Sequence, residues 1–375
     1  MKILNINSYY LSSSLYQPME ENLKRTGLNL TTYVPIHSTY KARKEISFPL
    51  PEHVYVSKCY KKYERIFFHL KHTKIIRDFF IKFKLENYDI LHAHSLFSNG
   101  YIAYLSYKKY KKPYIVTVRS TDINVFFKRM LNLRRLGLNI LLNANQVIFL
   151  SESHKNECFE KYIPSKYKSQ ILKKTLIIPN GIDNFWFENK PVEPMGNIKT
   201  EKAKLIFVGD DSKRKNLKTL VSACDFLVGK KYQIELYVAG NINEKTKMNL
   251  VEKKYINFLG HVKKEELLLL YRQSDIFVLP SITETFGLVY AEAMSQGLPV
   301  LYTKEQGFDN QFDDGVVGYP VNCMDPIDIA DKIIKVLDKY NDFYKRNIQL
   351  VNKFKWENIV KMYEQIYKNS NYNNL

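Results

Sequence analysis

Two glutamates eight residues apart, Glu284 and Glu292, flank a glycine in the stretch DIFVLPSITETFGLVYAEAMSQGLPVLYT, residues 275 to 303. Carboxylates at such a place can accept hydrogen bonds from sugar hydroxyls. The backbone N–H groups of Phe286, Gly287 and Leu288 open the intervening helix, so they lack intrahelical acceptors, and the helix dipole adds positive potential there. That combination suits a phosphate, and Gly287 lets a ligand come close to the backbone. A plainer reading uses the same residues. Ser281-Ile-Thr-Glu284 matches the S/T-x-x-E capping box, and Glu292 would then be a solvated helix residue. Spacing alone leaves both readings open.

The elements that must position these groups follow from pattern. Asp275 to Leu279 is a short apolar run, as expected of a strand buried on both faces, and Pro280 ends it. Residues 286 to 296 read as a helix with Ala291, Ala293 and Met294 as good formers. Gly297 and Pro299 stop it, and Leu298 to Tyr302 is the next strand. Glu284 thereby falls at the carboxyl end of a strand, where open parallel sheets bind ligands. The rest of the chain repeats the alternation. Strands are expected over 1–8, 28–35, 88–94, 113–118, 146–151, 175–179, 205–208, 232–240 and 316–321. Helices are expected over 18–26, 126–143, 263–273, 326–339 and 354–368. The alternation predicts an α/β protein of two doubly wound domains, in keeping with 375 residues. Residues 190 to 204, with two prolines and a glycine, read as a linker.

The net charge is +19. Such a balance points to a polyanionic surface, either nucleic acid or anionic lipid, or to a general lysine bias. From Lys58 to Lys84 there are nine Lys or Arg against two acids, with Phe67, Leu70, Ile75, Phe79 and Phe83 at roughly helical intervals. This is either a basic helix lying on an anionic membrane or a crossover helix with solvated lysines. No helix-turn-helix or aromatic-basic RNA motif supports a nucleic-acid partner. The four cysteines, Cys59, Cys158, Cys224 and Cys323, have no metal-ligand spacing and read as free thiols of a reducing cytoplasm. No apolar run reaches 18 residues, and the start reads as a first strand rather than a signal peptide.

The string PSITETFGLVYAEAMSQGLPVL resembles the E-x7-E region of family 4 glycosyltransferases, which have the GT-B fold. The resemblance implies two Rossmann-like domains facing a cleft. Residues 1–185 would bind the acceptor and residues 186–355 the nucleotide-sugar, with a helix in 356–375 crossing back to the first domain. It places Glu284 on the donor sugar and Glu292 on the ribose. The segment KLIFVGDDSKRKNLKTL resembles the family's Gly-Arg and following Lys, which serve the donor diphosphate. Gly209 and Lys215 fit that pattern. Asp210 occupies the Arg position, and the neighbouring Arg214 is the substitute charge; without the family, Lys213-Arg-Lys215 is a solvated basic turn. Ile256 to Val262 resembles the segment framing the base, and Asn180-Gly-Ile-Asp183 resembles the passage between domains, so Val262 and Asn180 join the donor-side candidates.

On the acceptor side, Tyr88 to His94 resembles the D-x-x-H-x-H segment, which makes His94 a candidate. Arg119-Ser-Thr-Asp122 stands where His-Gly-x-Asp is usual. Asp122 fits, while Arg119 replaces the histidine. An arginine can hold phosphate or carboxylate bidentately but cannot act as a base. The Gly-Gly place after the first strand holds Leu11-Ser-Ser-Ser-Leu15, whose hydroxyls are alternative donors. The resemblance implies retaining, metal-independent transfer of a hexosyl group from a nucleotide-diphosphate sugar, with no cofactor. The acceptor would be a glycan or a lipid-linked acceptor in surface polysaccharide or glycolipid assembly. The setting would be cytoplasmic, with an anionic membrane surface as a further partner. The departures at Arg119 and Asp210 keep alternatives in view: a catalytically weak GT-B binding protein, a GT-B epimerase, or a phosphorylase. Asp210-Asp211 also raises a metal-bound donor.

Overall fold

The structure, a computed structural model, describes residues 1–42, 46–191 and 202–372; most of the expected linker lies outside these described residues. Short apolar runs separated by helices pair in parallel, because each helix returns the chain to the same sheet edge. In the first unit the strands are β1 (Lys2–Ile6), β2 (Asn29–His37), β3 (Val54–Tyr60), β4 (Ile90–Ala93), β5 (Tyr114–Val118), β6 (Gln146–Phe149) and β7 (Thr175–Ile177). They form one sheet in the order β3-β2-β1-β4-β5-β6-β7, with every pairing parallel.

The second unit contains β8 (Lys202–Val208), β9 (Gln233–Ala239), β10 (Ile256–Gly260), β11 (Ile276–Leu279), β12 (Val300–Thr303) and β13 (Gly318–Val321). Their order is β10-β9-β8-β11-β12-β13, again all parallel. In each sheet the direction of winding reverses beside the first strand, between β1 and β4 and between β8 and β11. Those are the switch points where doubly wound sheets take ligands.

The first unit comprises the chain through Leu150, His154–Gly181 and the C-terminal helix from Trp356; the second comprises Ile182–Lys355 with Ser151–Ser153. Packing accounts for these limits. Ile182 and Trp186 lie in the core of the second unit. The Ser153 hydroxyl donates to the Gln306 carbonyl at 2.8 Å. The helix Trp356–Tyr372 buries Trp356, Ile359, Val360, Tyr363 and Tyr367 in one cluster with Tyr10, Tyr16, Met19 and Leu23. His92 of β4 is hydrogen-bonded to the Tyr367 hydroxyl at 2.7 Å and to Thr117 at 2.9 Å, which ties this helix to the sheet.

Three expectations are corrected. The helix expected over 126–143 is broken into a π-helical turn Asp122–Phe127, a short 3-10 turn and the helix Arg134–Asn143. The Arg134 side chain donates to the Phe127 carbonyl at 2.7 Å and caps the first piece. The basic segment is not one helix: Lys58 to Tyr60 belong to β3, and a 3-10 turn Lys62–Ile66 precedes the helix Phe68–Lys82. No capping box forms at Ser281, because the helix starts only at Leu288, after Gly287 in the left-handed region at φ 75°. The Ser281 hydroxyl has no partner among the described residues.

The ends of β8, β9 and β10 approach one another through glycine. Gly240 has φ 141°, and a Cβ there would stand 1.9 Å from the Gly209 carbonyl oxygen. Gly240→Ala is therefore expected to cost at least about 3 kcal/mol from strain and overlap, measured by urea unfolding. Gly229→Ala, with nothing within 4 Å of its Cβ, should be neutral or stabilising by up to about 1 kcal/mol. Equal effects would contradict the close approach.

Candidate active site

Glu284 follows β11 and is 8% exposed. Its Oε2 accepts a hydrogen bond from Lys215 Nζ at 2.7 Å, and an Arg214 guanidinium nitrogen stands 3.6 Å from the same oxygen. Lys215 and Arg214 lie in the loop after β8, so the contact joins the two strands of the switch point. The loop itself is anchored by backbone. Ile282 N–H donates to the Arg214 carbonyl at 2.8 Å, and Lys215 N–H to Ser212 at 2.9 Å. Asn216, in the left-handed region, donates from Nδ2 to the carbonyls of Pro280 and Cys323. Glu284 is fixed in turn: its N–H donates to Gln306 Oε1 at 3.0 Å, and its carbonyl accepts from Gly307 N–H at 2.9 Å. The expected cluster of Glu284, Lys215 and Arg214 is thus assembled, and Lys213-Arg-Lys215 is not merely a solvated turn.

The N–H groups of Phe286, Gly287 and Leu288 meet no acceptor among the described residues, so the start of the helix Leu288–Ser295 keeps unpaired donors. Glu292 is partly buried about one turn into that helix. Burial pushes its carboxyl up to about 7, against the pull of the Lys264 ammonium, with Asp183 adding repulsion. Lys264 and Asp183 are themselves paired at 2.6 Å. A cavity of about 280 Å³ opens beyond β8 and β9, lined among others by Gly209, Asp210, Gly240, Asn241, His261 and Val262. Gly209 and Val262 therefore share one cavity.

Both aspartates of the metal reading have local tasks. Asp210 accepts the Ser212 N–H at 3.0 Å. Asp211 accepts from the Asn243 N–H at 3.1 Å and the Thr246 hydroxyl at 2.8 Å, bracing the next helix. Among the described residues, no three His, Cys, Asp or Glu side chains gather as a metal site.

In the first unit, Arg119 donates to the His94 carbonyl at 3.3 Å and approaches Asn180 Oδ1 at 3.5 Å, and its guanidinium lies 5.5 Å from the Tyr16 ring centre. Asn180, assigned by sequence to the donor side, thus groups with Arg119 in this unit. His94 is 2% exposed, and Nε2 meets Asn5 Oδ1 at 3.2 Å, while Nδ1 has no partner among the described residues. Burial, with His92 and Arg119 nearby, holds its imidazole well below the ordinary range, so it is neutral. Asp122 is wholly buried and accepts N–H bonds from Leu96, Phe97 and Arg119 at 2.8 to 3.1 Å. It braces two loops and has no free face for a ligand. The Ser12 hydroxyl is spent on the Tyr9 carbonyl.

Sequence reasoning missed Gln306, whose side chain sits 22 positions from Glu284 and carries no pattern. It also missed Asn7 and Asn99, whose buried Nδ2 atoms have no partner among the described residues. Asn7 directly follows β1 at the switch point, a position that could have signalled it.

Two parallel Rossmann-like sheets, with a carboxylate and two cations converging at the switch point of the second, define a GT-B glycosyltransferase. Residues 19–184 match the family described as Glycosyltransferase Family 4, and residues 191–354 match Glycosyl transferases group 1. The chain belongs to the family 4 glycosyltransferases and is a glycosyltransferase enzyme. The N-acetyl-alpha-D-glucosaminyl L-malate synthase of Bacillus anthracis is 28% identical over 298 residues, 75% of each chain. The alpha-monoglucosyldiacylglycerol synthase of Acholeplasma laidlawii is 26% identical over 322 residues, 80% of this chain and 78% of that one. A crystal structure of Anabaena HepE in complex with UDP shares the fold, with TM-score 0.72, 14% identity, and coverage of 98% of this chain and 100% of that one.

The state of Glu292 gives a measurable sign. Its folded carboxyl titrates near 7 against an ordinary 4.5. The ionised form is disfavoured by folding, so the penalty is absent below pH 4.5 and complete above pH 7. Glu292→Gln should raise the unfolding free energy of the ligand-free protein at pH 8 by up to about 3 kcal/mol, and the gain should shrink by pH 5. Denaturant melts at the two pH values check this; a gain independent of pH would contradict it.

Proposed function

We propose that the second unit binds a nucleoside-diphosphate sugar and that the enzyme transfers its sugar, with retention, to a glycan or lipid-linked acceptor. The observation that carries this reading is the pairing of Glu284 with Lys215 and Arg214 at a strand-end switch point. Negative charge develops on the diphosphate as the glycosidic bond breaks, and preorganised cations and N–H donors there lower the barrier by several kcal/mol. Lys215, Arg214 and the N–H groups of residues 286 to 288 supply them. Glu284 keeps Lys215 in place and orients the transferred sugar through its hydroxyls. Glu292, without a donor hydrogen bond of its own, accepts from the ribose. The cavity bounded by Gly209 and Val262 takes the base. Since side-chain cations hold the diphosphate, the reaction needs no metal ion.

In the first unit, Arg119 in the histidine's usual place favours an acceptor bearing a phosphate or carboxylate. One relative is consistent with such an acceptor by name, making a glucosaminyl malate; the other, making a glucosyl-diacylglycerol, supports a lipid acceptor instead. HepE was crystallised with UDP, which supports a nucleotide donor here.

A panel of nucleoside-diphosphate sugars is expected to contain at least one that raises the melting temperature and is turned over. With that donor, Glu284→Gln should lower kcat at least tenfold, about 1.4 kcal/mol in barrier, while Glu292→Gln should chiefly raise the nucleotide Kd. Wild-type rates in both variants would refute the assignment, and donor binding without sugar release would favour a binding protein. Turnover should also survive EDTA; loss on chelation, restored by manganese, would return Asp210 and Asp211 to the site.

A further inference from the structure

The 3-10 turn Lys62–Ile66 and the helix Phe68–Lys82 carry a surface that the transfer reaction does not use. Their inner face is ordinary core: Phe68, His72, Ile75 and Phe79 are buried, followed by Phe83. The outer face is not ordinary. Tyr63 is 60% exposed, Ile66 77%, Phe67 59%, Leu70 48% and Ile81 74%. At the helical period Leu70, Lys74, Arg77 and Ile81 share one stripe, opposite the buried one.

The charges around this stripe have one sign. Lys58, Lys61, Lys62, Arg65, Arg77 and Lys82 are exposed. The two acids within the turn and helix are turned inward and neutralised. Glu64 is 2% exposed, paired with Lys74 and bonded by the Lys61 N–H. Asp78 is paired with Lys82 at 2.6 Å and accepts from the Tyr33 hydroxyl at 2.7 Å. Solvent therefore meets large apolar side chains set among lysines and arginines, with both acids withdrawn. Large apolar side chains and cations dominate this face, the two features that an anionic bilayer takes up.

We propose that this face seats the enzyme on an anionic lipid bilayer, with Tyr63, Ile66, Phe67 and Leu70 entering the interface and the surrounding cations meeting lipid phosphates. Apolar burial and electrostatic attraction to anionic lipids are the two contributions that hold an interfacial helix. The core residues Ile75, Phe79 and Phe83, which sequence spacing grouped with this surface, take no part. Among the described residues no helix is long and apolar enough to cross a membrane, so the contact is one of lying on the surface. The proposal stands on this face alone and does not depend on the identity of the donor or acceptor.

The test is co-sedimentation of the full chain with vesicles of phosphatidylcholine alone or with 30% phosphatidylglycerol (roughly the anionic content that gives a strong surface potential). Binding to the anionic vesicles is expected, and much less to the neutral ones. Lys61→Glu, Lys62→Glu and Arg65→Glu together should lower the partition coefficient about a hundredfold at low salt. Ile66→Ser with Phe67→Ser should lower it about tenfold or more at low and high salt alike. Met248→Ser with Val251→Ser, equally exposed apolar residues of the second unit at 71% and 75%, should change nothing. Ile66→Trp should shift its fluorescence to the blue on vesicle addition, against a steady background from Trp186 and Trp356, each 2% exposed. All these substitutions are at exposed positions, and unchanged melting curves verify folding. Absent vesicle binding, binding untouched by both variant sets, or binding to DNA but not to vesicles would each overturn the proposal.

Discussion

The second unit depends on one contact, the hydrogen-bonded ion pair between Lys215 and Glu284 at 2.7 Å, with side chains only 12% and 10% exposed. A pair so far withdrawn from water is costly to desolvate and strengthens stability only weakly. Its worth is positional. It links the loops after β8 and β11, the two strands between which the winding reverses, and so sets where cation and carboxylate stand before any ligand arrives. The surrounding bonds serve that end: Gln306 and Gly307 hold the Glu284 backbone, Asn216 holds the end of β11, and Ile282 holds Arg214. An arrangement fixed beforehand spends no binding energy on reorganisation when charge develops on a leaving group.

The first unit solves a similar problem with backbone donors. Asp122 spends its carboxylate on three backbone N–H groups, which keeps the loops after β4 and β5 together and fixes Arg119 at the rim. Arg119 is then aimed by the His94 carbonyl and Tyr16. His94 and His92 remain neutral because burial opposes their protonation. Arg119 is the cation among these groups, and a proton-accepting role falls outside what an arginine can do.

Much of this was legible in the residues. The run from Asp275 to Thr303 announced strand, helix and strand, and these form as Ile276–Leu279, Leu288–Ser295 and Val300–Thr303. Glycine and proline there terminate elements for local reasons, so the pattern survives folding. The later helix start reflects Gly287, whose left-handed backbone turns the chain one residue before the helix. Long-range contacts were not legible. Gln306 reaches Glu284 through tertiary packing, and the break after Phe127 depends on an Arg134 side chain bonded to its carbonyl. The basic segment misled because β3 and the following helix share lysine-rich, aromatic composition. Only their burial separates core phenylalanines from exposed ones.

The central claim, that Lys215 and Glu284 act as a unit on the donor diphosphate, is tested most directly by a double-mutant cycle on nucleoside-diphosphate affinity. Lys215→Met, Glu284→Gln and the double variant would be titrated calorimetrically at fixed ionic strength. The account predicts that the double variant loses little more affinity than Lys215→Met alone, with a coupling of about 1 kcal/mol or more, as expected for contacting residues. Losses that simply add would contradict it.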